Sequence, residues 1–405
     1  MSEISQSKFD VLVIGAGPAG ATAALLLARA GLSVAIVEKA VFPRRKVCGE
    51  YLSATTLDLF SRLGLLDDFL KMAGPEISRV GIFADTNVLL APMPKTKPPQ
   101  SRWGRALRRD VLDEWLLGRA VEAGAKAFQP WAVTTIARQD RVSIAQLESK
   151  EMADSCEITA GIVIAAHGSW EIGQLPTQAK KQKPDGRDLL GFKAHFRNTA
   201  LPADLMPMLV FPGGYGGMVS CDDGLVSLSC CVQRETLQEI RRKSPNKKAG
   251  EAVHDHILGS TKGVSDAISS ADLCGEWLSA GPIRPGFRSR YKDSVFIVGN
   301  AAGESHPIIA EGISMAIQSS WLLSQRLLQT PELTFEEAAN AYDHDWLAAF
   351  GPRTKAANIF AYLALNSRGH SAMSRALTRF PSLLTAGARL SGKVNRIAVD
   401  QTVAK

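Results

Sequence analysis

The sequence lacks the long apolar runs that a membrane protein needs. No stretch among its 405 residues approaches the ~18 consecutive apolar residues of a membrane-spanning helix, and the amino-terminal residues lack the apolar core of a secretory signal. Aromatic residues make up only 7% and charged residues 21% of the chain, within the ordinary range of globular proteins. We therefore expect a soluble, cytoplasmic protein of two or three domains.

Metal-ligand motifs and nucleic-acid-binding patterns are also missing. The six cysteines have no metal-ligand spacing, and the adjacent Cys230 and Cys231 would point to opposite faces of a strand. The net charge is +7, but no aromatic residues are interleaved with the basic clusters at 180–183 and 241–248. The sequence therefore predicts reduced thiols, no metal site and no nucleic-acid partner.

What is present begins with a glycine-rich turn between a strand and a helix. An apolar strand at 10–14 leads into Gly15, Gly17 and Gly20, and an alanine-rich helix follows. Gly15 permits the tight turn, Gly17 lets the backbone approach a phosphate, and Gly20 lets the helix pack closely on the strand. Because the amino end of a helix offers free N–H groups and a positive dipole, this order of elements predicts a cradle for a pyrophosphate.

A second strand strengthens that prediction. The apolar residues 33–37 end on Glu38, where an acidic side chain would bind the ribose hydroxyls of an adenosine. One alternative is an ordinary tight turn with a Glu on the surface. Another is an NAD-dependent dehydrogenase that uses this motif alone, which would be colourless.

Other apolar patterns suggest two kinds of sheet. The runs at 162–166 and 294–298 are typical of buried parallel strands. The alternating polar and apolar residues of 191–196 and 225–230 are typical of a sheet with one covered face. Between these regions, residues 105–124 predict a helix.

Four more segments accompany the glycine turn and Glu38: Pro43-Arg44-Arg45-Lys46-Val47-Cys48-Gly49, Arg109, Ala166-His167-Gly168 and Gly299-Asn300-Ala301-Ala302-Gly303. With these motifs in this order, the chain resembles the flavoprotein family that includes aromatic hydroxylases, flavin halogenases and geranylgeranyl reductases. The resemblance covers about residues 8–330 and is strongest to the geranylgeranyl reductase-like branch. It implies bound FAD and an α/β fold, in which a Rossmann-like FAD-binding domain carries an inserted, mainly antiparallel β-sheet substrate domain and a helical C-terminal segment.

The patterns and the resemblance together predict the domain limits and the cofactor-binding residues. The FAD-binding domain is expected at 1–80, 101–186 and 276–330, the substrate-binding sheet at 81–100 and 187–275, and the helical region at 331–405. The residues expected to bind FAD are Gly15, Gly17, Ala19, Gly20, Glu38, Lys39, Arg44, Cys48, Arg109, Gly299, Asn300, Gly312 and Ile313.

The chain departs from the family pattern at three positions. Asn300 and His167 stand where the family usually has Asp, so each removes a negative charge. Ala310 stands where the reductase branch usually has Gly, and its methyl group would narrow the approach of a bulky substrate. FAD binding is still expected, with NAD(P)H as the reductant.

Features missing from the substrate sheet narrow the choice of reaction. Halogenases of this family carry a Trp-x-Trp-x-Ile-Pro segment, and no two of the seven tryptophans have that spacing. Geranylgeranyl reductases tend to have Tyr-x-Trp-x-Phe where this chain reads Tyr215-Gly216-Gly217-Met218-Val219. We therefore favour an NAD(P)H-dependent monooxygenase that hydroxylates or epoxidises a small hydrophobic or aromatic substrate. The alternatives are an FAD-dependent reductase or dehydrogenase acting on carbon–carbon double bonds of a hydrophobic substrate, and a non-catalytic FAD-binding protein.

Five residues are candidates for catalysis. Cys48 lies in the loop that by resemblance approaches the flavin, although a free Cys is more often a buried small hydrophobe. Tyr215 is a candidate proton donor. His195, with Lys193, either lines the substrate pocket or faces solvent. His306 either orients a substrate hydroxyl or is a hydrogen-bonded structural histidine, and Pro307 begins the loop that the resemblance places along the isoalloxazine.

The terminal segment 368–405 carries seven Lys or Arg residues against one Asp. Leu377, Phe380, Leu383 and Leu384 give it an apolar side. One interpretation is that it packs against the body of the protein, and the other is weak contact with a membrane surface. The sequence makes no prediction of the oligomeric state.

Overall fold

The computed structural model describes residues 7–96, 102–329, 334–366 and 375–394, so much of the terminal segment, at 367–374 and 395–405, lies outside the described residues. In those ranges the strands form two large sheets and two short two-stranded ladders. The strands are β1 (Ser7–Ile14), β2 (Val34–Val37), β3 (Tyr51–Leu52), β4 (Arg79–Ala84), β5 (Asn87–Pro92), β6 (Arg105–Ala106), β7 (Lys126–Phe128), β8 (Trp131–Gln139), β9 (Val142–Ser149), β10 (Ser155–Ala165), β11 (Leu189–Arg197), β12 (Leu205–Phe211), β13 (Gly214–Ser220), β14 (Val226–Gln233), β15 (Asp272–Ile283), β16 (Gly286–Phe287), β17 (Tyr291–Lys292), β18 (Val295–Ile297) and β19 (Gly303–Glu304).

The helices pack on both large sheets and follow them at the carboxyl end. They are α1 (Pro18–Arg29), α2 (Ala54–Arg62), α3 (Leu66–Met72), α4 (Arg109–Glu122), α5 (Arg234–Lys243), α6 (Ala249–Ser260), α7 (Lys262–Ile268), α8 (Gly312–Gln329), α9 (Phe335–Leu365) and α10 (Ser382–Leu390). Residues 375–379 are also helical. In the ranges that the structure describes, no helix is both long enough and apolar enough to cross a membrane.

The eight-stranded sheet has the amino-terminal strand near its centre. β1 pairs in parallel with β10 on one side and with β2 on the other, and β18 and β7 continue the parallel part outward. Val11, Leu12 and Val13 of β1 are completely buried, because helices cover both faces of such a sheet. The apolar runs at 162–166 and 294–298 contribute β10 and β18, so the prediction of buried parallel strands is confirmed.

The seven-stranded sheet has the strand order β15-β11-β14-β13-β12-β4-β5. On β11, Phe192, Ala194 and Phe196 belong to a core shared with helices α5 to α7. Lys193 and His195 point to the opposite face, and both are buried. The predicted alternation is confirmed, and the interpretation that these two polar residues face solvent is wrong.

Two expected boundaries meet regular structure. The domain limits expected at 80/81 and 275/276 fall inside β4 and β15. The helix expected from residue 105 begins instead at Arg109, because Arg105 and Ala106 form β6 and pair with β3. The helix ends at Glu122, close to the predicted stop.

The C-terminal helices cover one face of the seven-stranded sheet. Ala361 and Ala364 of α9 and Leu384 of α10 share a buried cluster with Ile82 and Tyr215 of the sheet. The expected packing of the terminal segment against the body is therefore confirmed for the residues described.

Candidate active site

A cavity of about 420 Å³ opens beside the amino end of α1 and the carboxyl ends of β1 and β2. It collects the residues expected to bind FAD from distant parts of the chain. All of them except Gly20 line the cavity: Gly15, Gly17, Ala19, Glu38, Lys39, Arg44, Cys48, Arg109, Gly299, Asn300, Gly312 and Ile313.

The glycine turn has the geometry that the sequence predicts. Gly15 has a φ of +101°, and a Cβ on it would lie 2.7 Å from the carbonyl oxygen of Ala166. A Cβ on Gly20 would lie 1.8 Å from the carbonyl oxygen of Gly15, so Gly20 serves the contact between helix and turn. Gly17 is the N-cap of α1, and no described side chain caps this helix. The first turn of α1 therefore leaves its N–H groups for a ligand.

Glu38 is a buried residue of the cavity wall, so the alternative of a surface Glu is wrong. Its Oε2 accepts a hydrogen bond from the amide of Ala16 at 2.9 Å, and its Oε1 accepts one from the amide of Ala40 at 3.0 Å. These bonds fix the carboxylate at the end of β2. A carboxylate has further lone pairs with which it can accept hydrogen bonds from sugar hydroxyls.

Two guanidinium groups lie over Gly17. A Cβ on that residue would be 3.7 Å from Nη2 of Arg109 and 3.9 Å from Nη2 of Arg44. Arg109 donates two hydrogen bonds to Asp113, at 2.6 and 2.7 Å. Burial alone would lower the pKa of Arg109, but the charge of Asp113 outweighs it and raises that pKa. Lys46 also lines the cavity, and burial together with the charges of Arg109 and Arg44 lowers the pKa of Lys46 to about 8. Cations thus gather where the backbone is bare, which suits a phosphate.

The two positions at which the family usually has Asp both lie in the cavity wall. His167 Nδ1 lies 2.9 Å from the carbonyl oxygen of Gly168 and so carries the ring proton, while Nε2 accepts from the hydroxyl of Thr177 at 2.9 Å. Burial lowers the pKa of His167. Asn300 donates from Nδ2 to Oε1 of Glu304 at 3.2 Å, and burial raises the pKa of Glu304. The sequence analysis missed Glu304, for which the only signal was an acid one helical turn after Asn300.

A buried ion cluster lies behind the cavity wall. Nε2 of His195 is 2.7 Å from Oε2 of Glu50, and the Lys193 ammonium pairs with Oε1. The amide of Arg109 also donates to Oε1, at 2.9 Å. Burial alone would raise the pKa of Glu50, but the hydrogen bond with His195 and the charge of Lys193 lower it to about 2. His195 therefore lies in an ion cluster and outside the cavity wall, and the sequence analysis missed its partner Glu50.

Glu50, His195 and Cys221 also have the donor set of a metal site, since their ligand atoms all lie within 4.8 Å of one another. Two features disfavour a cation there. The ammonium of Lys193 already pairs with Glu50, and burial raises the pKa of Cys221, which keeps the thiol protonated. The arrangement is therefore an ion cluster that joins β11 to the segment after Cys48.

Tyr215 and His306 form a second pair, between the seven-stranded sheet and the loop after β19. The hydroxyl of Tyr215 lies 2.9 Å from Nδ1 of His306. Burial lowers the pKa of His306 to about 4 and raises that of Tyr215 well above its ordinary value, so at neutral pH both groups are uncharged. Pro307 follows in a short 3-10 turn. These three residues and His195 lie outside the cavity wall, which Cys48 joins directly.

Glu311, the residue before α8, is fully buried and faces two cations from the C-terminal region. Nζ of Lys393 lies 2.9 Å from Oε1 of Glu311 and donates to the carbonyl oxygen of Ile309 at 2.6 Å. Nη1 of Arg353 lies 3.8 Å from the other carboxylate oxygen. The sequence analysis missed this cluster, which fixes the loop leading into the cavity wall.

Comparison with known proteins gives this cavity a family. Residues 8–344 match the family model described as an FAD binding domain. The chain belongs to this FAD-binding family. It is also similar in sequence to conditioned medium factor receptor 1 of Dictyostelium discoideum, with 26% identity over 96% of this chain and 74% of that protein. Digeranylgeranylglycerophospholipid reductase 2 of Methanopyrus kandleri is 28% identical over 92% of this chain and 91% of its own length.

Solved structures share the architecture. The myxobacterial chondrochloren halogenase CndH, an FAD-dependent halogenase, aligns with a TM-score of 0.77 at 18% identity, covering 98% of this chain and 95% of that one. At that identity the likeness shows the fold alone. The expected family and the expected α/β fold class are thereby confirmed, and the chain is a member of an FAD-dependent oxidoreductase family.

The cavity fits FAD on its own geometry. The uncapped start of α1 and the guanidinium groups over Gly17 suit the pyrophosphate, and Glu38 suits the adenosine ribose. Asn300 and Ile313 line the same cavity from two later segments. These are the residues that would hold the cofactor.

Proposed function

We propose that this protein is an FAD-dependent reductase that saturates a carbon–carbon double bond of a hydrophobic substrate. The observation that carries the proposal is the hydrogen bond between Tyr215 and His306. Saturation adds two electrons and two protons, and the second proton needs a donor that is shielded from water. Tyr215 is buried and keeps its proton at neutral pH.

Each participant then has a defined task. Bound FAD, reduced by a nicotinamide nucleotide, supplies both electrons and one of the protons. Tyr215 gives its hydroxyl proton to the other carbon of the double bond. His306 returns a proton from Nδ1 to the phenol oxygen while Nε2 takes up another from outside, so that the imidazole ends neutral.

The sequence relatives support a reductase acting on a lipid. The relative from Methanopyrus kandleri, matched over 91% of its length, is named for the reduction of digeranylgeranylglycerophospholipid. A lipid with polyprenyl chains is therefore the first substrate to test.

A monooxygenase acting on a compact aromatic or hydrophobic substrate is the second candidate. It is favoured by Gly217, which lies on the same face of β13 as Tyr215 because side chains alternate along a strand. Gly217 brings no side chain to that face, so the space beside Tyr215 suits a small substrate better than it positions a long chain.

The test is turnover with and without oxygen. Holoenzyme reduced with dithionite is mixed anaerobically with digeranylgeranylglycerophospholipid dispersed in detergent, and the product is analysed by mass spectrometry. The proposal expects each reduced double bond to gain two hydrogen atoms without oxygen. A product formed only in air and carrying a new oxygen atom would establish the monooxygenase instead.

Substitution of Tyr215 tests the proton donor. Tyr215→Phe should lower kcat by about 100-fold or more, with FAD retention unchanged. Tyr291→Phe makes the same chemical change at the edge strand β17 and should keep full turnover. An equal kcat in both variants would remove Tyr215 from the reaction.

A further inference from the structure

The C-terminal helices expose large apolar side chains. On α9, Ile359 and Tyr362 are 59% and 66% exposed, and after it Phe380 and Leu390 are 58% and 61% exposed. Leu383 of α10 is exposed as well. Soluble proteins seldom gather so many exposed large apolar residues on neighbouring helices unless the surface has a partner.

These residues form the outer side of elements whose inner side already packs in the core. Leu383 and Leu390 are seven residues apart on α10 and therefore share one face of the helix. Leu384 and Ala388 lie on another face and are buried. The outer face of a surface helix is ordinarily polar, so the apolar outer face of α10 calls for an explanation.

Positive charge surrounds this strip. Residues 346–405 contain nine Lys or Arg and a single Asp, so this region carries the whole positive excess of the chain. Among its described cations, Lys355, Arg375, Arg379 and Arg389 are exposed.

The strip is held firmly to the body of the protein. Lys393, just after α10, is buried against Glu311, and Oγ1 of Thr385 donates to the carbonyl oxygen of Pro92 at 2.7 Å. The adjacent edge strand β5 adds Val88 and Leu90, both exposed. The apolar and basic residues are therefore presented on a rigid support.

We propose that this C-terminal face, made of the outer sides of α9, residues 375–381 and α10, lies on the surface of an anionic lipid bilayer. The apolar side chains would enter the headgroup region, while the exposed cations would pair with lipid phosphates. Contact with a second copy through the same face is disfavoured, because a two-fold axis would bring two positive surfaces together. The inference is independent of the proposed reaction.

The experiment is co-sedimentation of the full-length holoenzyme with two kinds of vesicle, phosphatidylcholine alone and phosphatidylcholine mixed with phosphatidylglycerol. The wild type should pellet with the mixed vesicles and stay in solution with phosphatidylcholine alone. Phe380→Ser combined with Leu390→Ser, and separately Arg375→Gln, Arg379→Gln and Arg389→Gln together, should each weaken the partition by about tenfold or more.

Matched controls make the same chemical changes at exposed positions elsewhere. They are Met152→Ser with Ile172→Ser for apolar area, and Lys180→Gln, Lys181→Gln and Lys183→Gln for charge. These controls should bind vesicles as the wild type does, and all variants should retain FAD and turn over detergent-dispersed substrate. The inference is overturned if the wild type stays in solution with both vesicles, or if the control variants weaken binding equally. It is also overturned if the wild type is a dimer that Phe380→Ser and Leu390→Ser convert to a monomer. Each of these results leaves the reaction in detergent untouched, so the two proposals fail separately.

Discussion

The ammonium of Lys393 lies 2.9 Å from a carboxylate oxygen of Glu311, although 82 residues separate them along the chain. Both side chains are buried. Removing one partner of a buried pair leaves an uncompensated charge, which costs about 3–5 kcal/mol. We expect Lys393→Met to lower the free energy of unfolding by about 3 kcal/mol, measured by urea denaturation. Lys355→Met, on the exposed side of α9, should change it by less than about 0.5 kcal/mol, and similar losses in both variants would contradict the prediction.

The low pKa of Glu50 predicts sensitivity to acid. Its ordinary pKa of 4.5 falls to about 2 in the folded protein, so the folded state favours the ionised carboxylate. This contribution is fully present above pH 4.5 and is lost as the pH falls through that window toward 2. Glu50→Gln should start less stable and show a shallower decline of unfolding free energy over the same window. Glu239→Gln, an exposed residue of α5, should follow the wild-type slope, and parallel curves for Glu50→Gln and wild type would refute the assignment.

His306 predicts a second dependence on pH, in a different window. Its ordinary pKa of 6.5 is lowered to about 4 by burial. Below pH 6.5 the unfolded chain binds a proton that the folded chain does not, so stability declines as the pH falls from 6.5 toward 4. The imidazole NMR signal that disappears in His306→Gln should titrate near pH 4 in the wild type. Titration of that signal at its ordinary value would show that the ring is not buried as described.

Gly20 predicts a steric requirement that separates cofactor binding from general stability. A methyl group there would lie 1.8 Å from the carbonyl oxygen of Gly15, so Gly20→Ala must displace the turn. We expect purified Gly20→Ala to lose the flavin absorbance of the holoenzyme. Gly118→Ala adds the same methyl group inside α4, where it would meet no atom of the described chain within 4 Å. That variant should keep its flavin and gain about 0.5–1 kcal/mol of stability, whereas flavin retention in both would contradict the role of Gly20.

The cavity could be predicted from the sequence because its chemistry is local in the chain. Gly15, Gly17 and Gly20 occupy one turn, and Glu38 ends the next strand, so their roles follow from spacing. Asn300 and Gly312 were placed by resemblance of short motifs, each of which is also contiguous. The structure brings these separate motifs to one cavity.

The ion clusters could not be predicted because their partners are remote. Alternation along β11 shows that Lys193 and His195 share a face, but not that this face is covered. The covering segment contains Glu50, 145 residues before His195. In the same way, nothing near Lys393 in the sequence identifies Glu311 as its partner.

The sheet beneath the cavity is completed by a strand that is translated late. β18 pairs with β10, yet the strands of the other large sheet, from β11 to β15, lie between them in the chain. A nascent polypeptide emerging from the ribosome therefore has its glycine turn and Glu38 long before it has Gly299 and Asn300. Cofactor loading is consequently an event of the nearly finished chain, and shortened translation products would leave the ribosome without their flavin.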